Sequence, residues 1–279
     1  LFYSISTFQE TPLYDPFNKD ILLSETIEQL LLKTERDSVE QIALTKSSQR
    51  SIGLNNFRMN IRSANPMPYD PANFTFSYSG NERKQKNPEI AYDTESDQRL
   101  QVSYAYTPLA KAWQPFQNLK ENNINNLLKS LEFRYLPDHL SISNTLHRNY
   151  RERQLRDLNA FAEGASESRS AYLTFSHNFY WDRQFNLTWN LTKNLNATFH
   201  SGTLAEVEEP YLQVNKSINR SDYEIWKDSV MLSLRELGRP LRYNQSADLS
   251  YTFPFERIPL LDWISSSMAY HSQYQWERG

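Results

Sequence analysis

The run from residue 184 to residue 200 restricts the fold of this chain more than any other. In QFNLTWNLT, residues 184–192, Phe185, Leu187, Trp189 and Leu191 alternate with Asn186, Thr188 and Asn190. Lys193 and Asn194 make a short turn, after which Leu195, Ala197 and Phe199 alternate with Asn196, Thr198 and His200. A period of two sends successive side chains to opposite faces of an extended strand, one face apolar and one polar. With AYLTFSHNFYW, residues 171–181, ahead of it, the passage predicts an antiparallel meander with strands of about nine residues. That is close to the length a tilted strand needs to cross a bilayer. The polar partners are small and uncharged, as expected where one face meets lipid and the other lines water. The same alternation also builds soluble sandwiches and barrels.

Composition bears on that choice. Aromatic residues make up 14% of the chain and hydrophobic residues 39%, while the mean hydropathy is −0.72. A soluble core draws more heavily on Leu, Ile and Val. A transmembrane barrel needs an apolar side chain only at every second strand position. No stretch approaches the roughly 18 apolar residues of a membrane helix. The net charge of −3 gives no sign of a nucleic-acid surface. The absence of cysteine excludes disulfides, thiolate metal sites and thiol nucleophiles within these residues. With 6 glycines and neither GxGxxG nor a P-loop, a glycine-cradled phosphate site is not expected.

Along the chain, residues 1–20 carry Pro12 and Pro16 and read as irregular or edge structure. Residues 24–48 read as helix, with Ile27, Leu30, Leu31, Val39 and Ile42 on a loose apolar stripe. Phe74, Phe76 and Tyr78, and then Leu100, Val102, Tyr104 and Tyr106, show the period of two. The charged stretch 81–97 between them reads as an exposed loop. A short helix is expected over 122–129, and strands over 131–135 and 140–142. Residues 147–170 read as loop, with a short helix over 150–161. Residues 203–222 read as loop, followed by a helix over 223–237 with Asp222 as N-cap and Gly238 and Pro240 as the stop. Leu249, Tyr251 and Phe253 alternate again, and Met268, Tyr270, Tyr274 and Trp276 share a face. The expected organisation is a 1–50 irregular and helical segment and a 51–279 antiparallel β segment. Trp181, Trp189, Trp263 and Trp276 fall within or near strands. They are the candidate membrane-interface aromatics, because an amphipathic ring suits the headgroup level.

Catalytic chemistry finds little support. The histidines at 139, 147, 177, 200 and 271 form no HxH or HxxxH pair and read as solvated side chains rather than metal ligands. Glu206, Glu208 and Glu209 invite a Ca²⁺ or paired-carboxylate reading, but Pro210 ends the run as in a surface loop. Arg148, Arg151, Arg153 and Arg156 invite an anion-binding reading, which Glu152 and Asp157 partly balance. There is no GxSxG elbow. No catalytic, cofactor-binding or metal-binding residue is assigned, and the chain reads as non-enzymatic.

Several longer phrases carry a resemblance. They are NFTFSYS (73–79), LEFRYLPDHLSISNTLHRNYRERQLRDL (131–158), FNLTWNLTKNLNATFHS (185–201), EVEEP (206–210), LGRPLRYNQSADLSYTFPF (237–255) and IPLLDWISSSMAYHSQYQW (258–276). Together they resemble the SprA/Sov family, from about residue 50 to the end. The resemblance implies an internal piece of a very large outer-membrane β-barrel, the translocon of type IX secretion, with the helical stretches as inserts. It also implies a role in gliding motility in gliding organisms. The implied partners are membrane lipid, folded cargo with C-terminal sorting domains, a cargo-receiving β-barrel protein and a periplasmic plug protein. A chain that opens on Leu1 without a leader and stops abruptly fits a segment of a longer protein. An open arc of strands leaves unpaired edges, so the isolated piece is expected not to fold stably alone; a soluble, cooperatively unfolding monomer made without detergent would contradict this. The competing readings are a porin or receptor closed by eight to twelve strands, and a soluble β-rich enzyme or glycan-binding module with a closed core and a cleft.

Overall fold

The computed structural model describes residues 1–61, 63–109, 111–118, 128–129, 131–156, 171–212, 214, 219–255, 261 and 263–279. Nine strands form a single sheet: β1 (Phe2–Glu10), β2 (Thr45–Phe57), β3 (Phe74–Lys86), β4 (Ile90–Tyr106), β5 (His139–Leu155), β6 (Ala171–Asn190), β7 (Leu195–Glu206), β8 (Arg239–Phe253) and β9 (Ser266–Glu277). Their spatial order is their chain order, and each is antiparallel to the next. Helices α1 (Leu23–Gln29) and α2 (Lys33–Ala43) lie between β1 and β2, and α3 (Arg220–Arg235) lies between β7 and β8. These three α-helices therefore belong to connections at one end of the sheet, called here the helix end. β1 and β9 are the two edges and are not hydrogen-bonded to each other.

The expected meander is present, and its strands are longer than the alternation suggests. The 81–97 stretch is not a loop. β3 and β4 run through it and turn at residues 87–89, where the Ile90 N–H donates to the Asn87 side chain at 2.7 Å. Arg83 faces Glu95 across this hairpin, so opposite charges sit where a cross-strand pair favours them. Residues 147–155 are not loop or helix either, because β5 continues to Leu155 against both β4 and β6. Residues 171–190 are one strand, β6.

The opening residues form an edge strand, and the boundary expected near residue 50 falls inside β2. The helix expected over 24–48 is two short helices, broken at Leu30–Leu32, with β2 beginning at Thr45. In 131–135 there is a single bridge, Phe133 to Trp113, rather than a strand. The helix expected over 122–129 falls outside the described residues except at Leu128 and Lys129, and 157–161 falls wholly outside them.

The helix at 223–237 is α3, displaced toward the N-terminus. Its cap is Asn219, whose side chain accepts from the Ser221 and Asp222 amides, and not Asp222. Its last residue is Arg235, and the expected stop residue Gly238, whose φ is +67°, turns the chain toward β8. A Cβ there would lie 2.8 Å from the Glu206 carbonyl oxygen, so only glycine fits.

One layer of sheet buries little. The buried apolar residues are scattered, and among the described residues Val207 is the largest apolar one wholly out of solvent. The accessible surface is 19161 Å², against about 12,500 Å² for a compact globular protein of this mass. What holds the fold is the ladder of backbone hydrogen bonds between neighbouring strands, with cross-strand side-chain pairs added to it.

The absence of cysteine makes the register testable. Ser103 and Ser143 face each other with hydroxyl oxygens 3.3 Å apart. Mild oxidation is expected to cross-link the Ser103→Cys, Ser143→Cys double variant and not Ser103→Cys with Ser143 intact and Asn144→Cys. A gel-mobility shift reads the difference, since a slip of one residue turns the side chains to opposite faces.

Candidate functional site

The register sorts every strand residue onto one of two faces, and the faces differ in chemistry. One face carries an apolar belt across all nine strands. Tyr3 and Ile5 supply it on β1, Ile52 and Leu54 on β2, and Phe74, Phe76 and Tyr78 on β3. Leu100, Val102, Tyr104 and Tyr106 follow on β4, and Leu140, Ile142 and Leu146 on β5. β6 gives Trp181, Phe185, Leu187 and Trp189, and β7 gives Leu195 and Phe199. β8 gives Leu249, Tyr251 and Phe253, and β9 gives Met268, Tyr270, Tyr274 and Trp276. Among the described residues no second layer covers it: Ile5, Ile52, Leu100, Ile142, Leu249, Met268 and Tyr270 are all exposed.

The opposite face is a hydrogen-bonded polar mosaic. His147 contacts Asp97 at 2.7 Å, and Gln101 donates to Ser103 at 3.3 Å. Asn186 joins Ser141 at 3.2 Å to His200 at 2.5 Å. Asp248 joins Thr198 at 3.3 Å to His271 at 2.5 Å. Three of the five histidines are thus placed in this mosaic, and among the described residues no group of three or more His, Asp or Glu is arranged to hold a metal ion.

Both borders of the belt are built. At the far end, the Tyr104 and Tyr106 hydroxyls donate to the carbonyls of Pro68 at 2.9 Å and Pro66 at 3.3 Å. The Trp189 indole donates to the Arg134 carbonyl at 2.9 Å. These rings lie in the belt with their polar tips turned to its edge, the arrangement that suits an aromatic side chain at a polar boundary.

At the helix end the strands run on past the belt, and its face turns polar at Gln98, Arg148 and Glu152. There residues 207–212, Val214 and α3 are strapped onto it. Arg148 donates to Glu209 at 2.5 Å and lies 5.0 Å from the Trp226 ring and 5.3 Å from that of Tyr150. Tyr211 stacks on Phe175 at 4.2 Å. Tyr92 and Tyr150 donate to Glu152 at 2.6 and 2.9 Å. Burial and the Glu152 carboxylate push the Tyr150 phenol up to about 12, so it stays a donor at neutral pH.

The far border of the belt crosses the strands obliquely, while its helix-end border keeps to the row Tyr78, Leu100, Leu146 and Trp181 over β3–β6. The hydrogen-bonding direction through Phe57, at the far end of β2, runs through Phe76, Val102, Asn144, Arg183, Thr203 and Tyr243 to Trp276, near the helix end of β9. The far border on β9 is Met268, eight residues farther on, after seven strand-to-strand steps. A drift near one residue per step, at about 3.3 Å per residue and about 4.8 Å between strands, tilts the strands by about 35–40° to the belt normal.

The four tryptophans fall into two levels. Trp181 and Trp276 are on the belt face toward the helix end; Trp189 is on it at the far end, and Trp263 is 79% exposed in the far-end connection between β8 and β9. The acidic triplet is a set of anchors rather than a solvated loop. Glu209 is wholly buried on Arg148, while Glu206 and Glu208 both pair with Arg239 at 2.6 and 3.3 Å. The basic run is divided by strand alternation, with Arg148 on the belt face and Arg151 and Arg153 on the polar face. Sequence reading missed the Arg148–Glu209 clamp, whose partners lie 61 residues apart. Compared with family models and with curated proteins, the chain gives no match.

Arg148→Leu leaves the Glu209 carboxylate buried without its cation, a loss of about 3 kcal/mol or more. Hydrogen exchange of the amides of residues 207–212 and Val214 is expected to accelerate at least about tenfold. A second outcome concerns pH. The hydrogen bond from Arg151 holds the Asp93 carboxyl below its usual range, against a smaller opposing effect of burial. The resulting stabilisation is complete above about pH 5 and is lost as pH falls through the lowered value. Asp93→Asn is expected to remove this part of the acid sensitivity of the β3–β5 extension, read as amide exchange at pH 7 and pH 3.

Proposed function

We propose that this chain is an arc of the wall of a large transmembrane β-barrel in a bacterial outer membrane. The observation that carries the reading is the uncovered apolar belt backed by a hydrogen-bonded polar mosaic. Such a belt is stable only against another apolar phase, and it is far larger than the few hundred Å² of apolar patch that soluble monomers expose. Lipid is that phase, and a sheet closed into a barrel leaves no unpaired backbone in it. The oblique course of the belt's far border is in keeping with lipid, because membrane barrels hold their strands at about 35–45° to the normal. The ring hydroxyls and indole N–H groups at its far border suit a lipid–water boundary, and Trp181, Trp189, Trp263 and Trp276 are proposed as interface aromatics. Among the described residues no helix is long and apolar enough to cross a membrane; in the proposed wall the strands cross.

Within that wall, the function is passage rather than chemistry. The polar mosaic lines the water-filled side. With nine strands in one sheet, β1 and β9 are both left unpaired with each other. Such free edges call for further strands and favour a wide barrel over a small porin or receptor closed within these residues. Together with the SprA/Sov-like phrases, this supports a protein-conducting channel of the type IX kind. Its cargo would be folded proteins with C-terminal sorting domains, and its other partners the cargo-receiving β-barrel and the periplasmic plug.

Charge substitutions on the two faces test the wall. Leu187→Arg on the belt face is expected to cost about 2–4 kcal/mol in the membrane and to abolish heat-modifiable migration of the membrane-extracted protein. Asn186→Arg, one residue away on the polar face, is expected to leave it intact. Equal tolerance of both would overturn the membrane reading. Cells carrying only the Leu187→Arg form are expected to retain sorting-domain cargo in the periplasm; normal export from them would overturn the translocon assignment.

A further inference from the structure

One position breaks the belt. Arg183 projects from the belt face of β6 between Trp181 and Phe185, with Asn144 opposite it on β5 and Thr203 opposite it on β7. Its guanidinium carbon lies 4.9 Å from the Trp181 ring centroid. Its Nε is buried with no hydrogen-bond partner, and among the described residues no carboxylate pairs with it. Arg148, Arg151 and Arg239, by contrast, meet carboxylates within 2.5–2.7 Å, and Arg153, whose Nε is likewise buried without a partner, lies on the polar face within 4.0 Å of Asp93. The neighbouring Asp182 points to the opposite face. The surroundings of Arg183 are polar for a belt. The Trp181 indole donates to the Asn144 carbonyl oxygen at 3.2 Å, which turns the Asn144 amide N–H₂ free, and Tyr243, next along the same row, accepts from Ser201 at 3.4 Å.

An unpaired cation on an outward face is costly in hydrocarbon unless it reaches the interface or finds an anion. Arg183 is two residues from Trp181, beyond which the next row sets Phe179 beside the polar Arg148 and Gln98 that border the belt on β5 and β4. That puts it only about 5 Å inside the border for a strand tilted by about 40°. A flexible guanidinium at that depth reaches the level of lipid phosphates. It offers two parallel N–H donors to a phosphate oxygen pair, the geometry arginine favours.

Resting on the membrane reading above, we infer that Arg183, with Asn144 and Thr203 beside it, forms a binding site on the outer wall for the phosphate of an anionic membrane lipid. The lipid's acyl chains then lie along Phe185, Leu187 and Phe199, and its headgroup packs beside the Trp181 ring. The site fixes one lipid at a defined height on the β5–β7 wall.

The test uses the full-length protein reconstituted in phosphatidylcholine vesicles doped with phosphatidylglycerol that bears a photoreactive headgroup, with labelled peptides mapped by mass spectrometry. Labelling is expected on the peptides containing Asn144, Arg183 and Thr203. It should fall about tenfold in Arg183→Gln, the loss of a charge-assisted hydrogen bond, and be kept only in part in Arg183→Lys, whose ammonium retains the charge but not the paired N–H donors. Unchanged labelling in Arg183→Gln overturns the site, as does equal labelling by a photoreactive phosphatidylcholine headgroup. Loss of labelling with 10-fold molar excess of inorganic phosphate over probe assigns the site to free phosphate and overturns the lipid. A parallel probe with the photoreactive group on the acyl chain separates the two readings. If it labels the belt around Leu100 and Leu249 while Arg183 stays unlabelled by the headgroup probe, the inference alone fails. If it labels no part of the belt, the membrane reading fails. Retained acyl-chain labelling in Arg183→Gln shows that the variant is folded and inserted.

Discussion

A sheet one layer thick has no interior, and everything in this structure follows from that. In most domains two apolar faces cover each other and the backbone ladder adds order to a core that already exists. Here the ladder between adjacent strands is the main cohesive force, and the apolar side chains cohere only as well as their surroundings allow. The long β4, β5 and β6 hold the middle of the sheet with pairing along 17 to 20 residues each, whereas the short edge strand β1 is exposed along its whole length. Cooperativity therefore runs sideways, from strand to neighbouring strand, and weakens toward the edges.

The two ends of the sheet are finished differently. At the far end, the connections fold back so that backbone carbonyls of Pro66, Pro68 and Arg134 receive ring donors from the belt. At the helix end, the sheet outruns the belt and is covered by a strap locked through Arg148, Glu209 and Trp226. A buried arginine–carboxylate pair contributes more to where the strap sits than to net stability, because desolvation offsets much of its attraction. Removing either partner strands the other, which makes the clamp specific as well as fragile. Glu152, buried under two tyrosine hydroxyls, extends the same polar patch along β5.

The alternation was legible wherever the apolar partner was a ring or a branched aliphatic. Phe185, Leu187 and Trp189 disclosed their strand at once, as did Phe74, Phe76 and Tyr78. It was not legible where both faces turn polar. Residues 81–97 and 147–155 contain few apolar side chains, so the pattern there shows only charge; what makes them strand is the neighbour's backbone, supplied by residues up to 65 positions away, as in Ile90 and Leu155. The helix at 223–237 announced itself through Trp226, Val230 and Leu234, but its cap was misplaced because Asn219 and Asp222 are both good capping residues and only geometry chooses. The function of the acidic triplet was out of reach for the same reason: Glu209 is a surface residue until Arg148 is folded beneath it. Arg183 was equally silent, since a single arginine in an alternating run looks like any other outward polar residue until the register shows which face it occupies.

The oblique course of the belt carries a consequence for size. Because each strand advances the far border by about one residue on average relative to its neighbour, an added strand continues the same ramp without altering the side chains already in place. In the proposed barrel, circumference would thereby be uncoupled from thickness: the height of the apolar band is written within each strand, while the girth of the whole would be set only by how many strands are laid side by side. A proposed wall built on this rule could be widened by duplicating hairpins, and the aperture it encloses could grow to admit a larger object with no new chemistry at any residue.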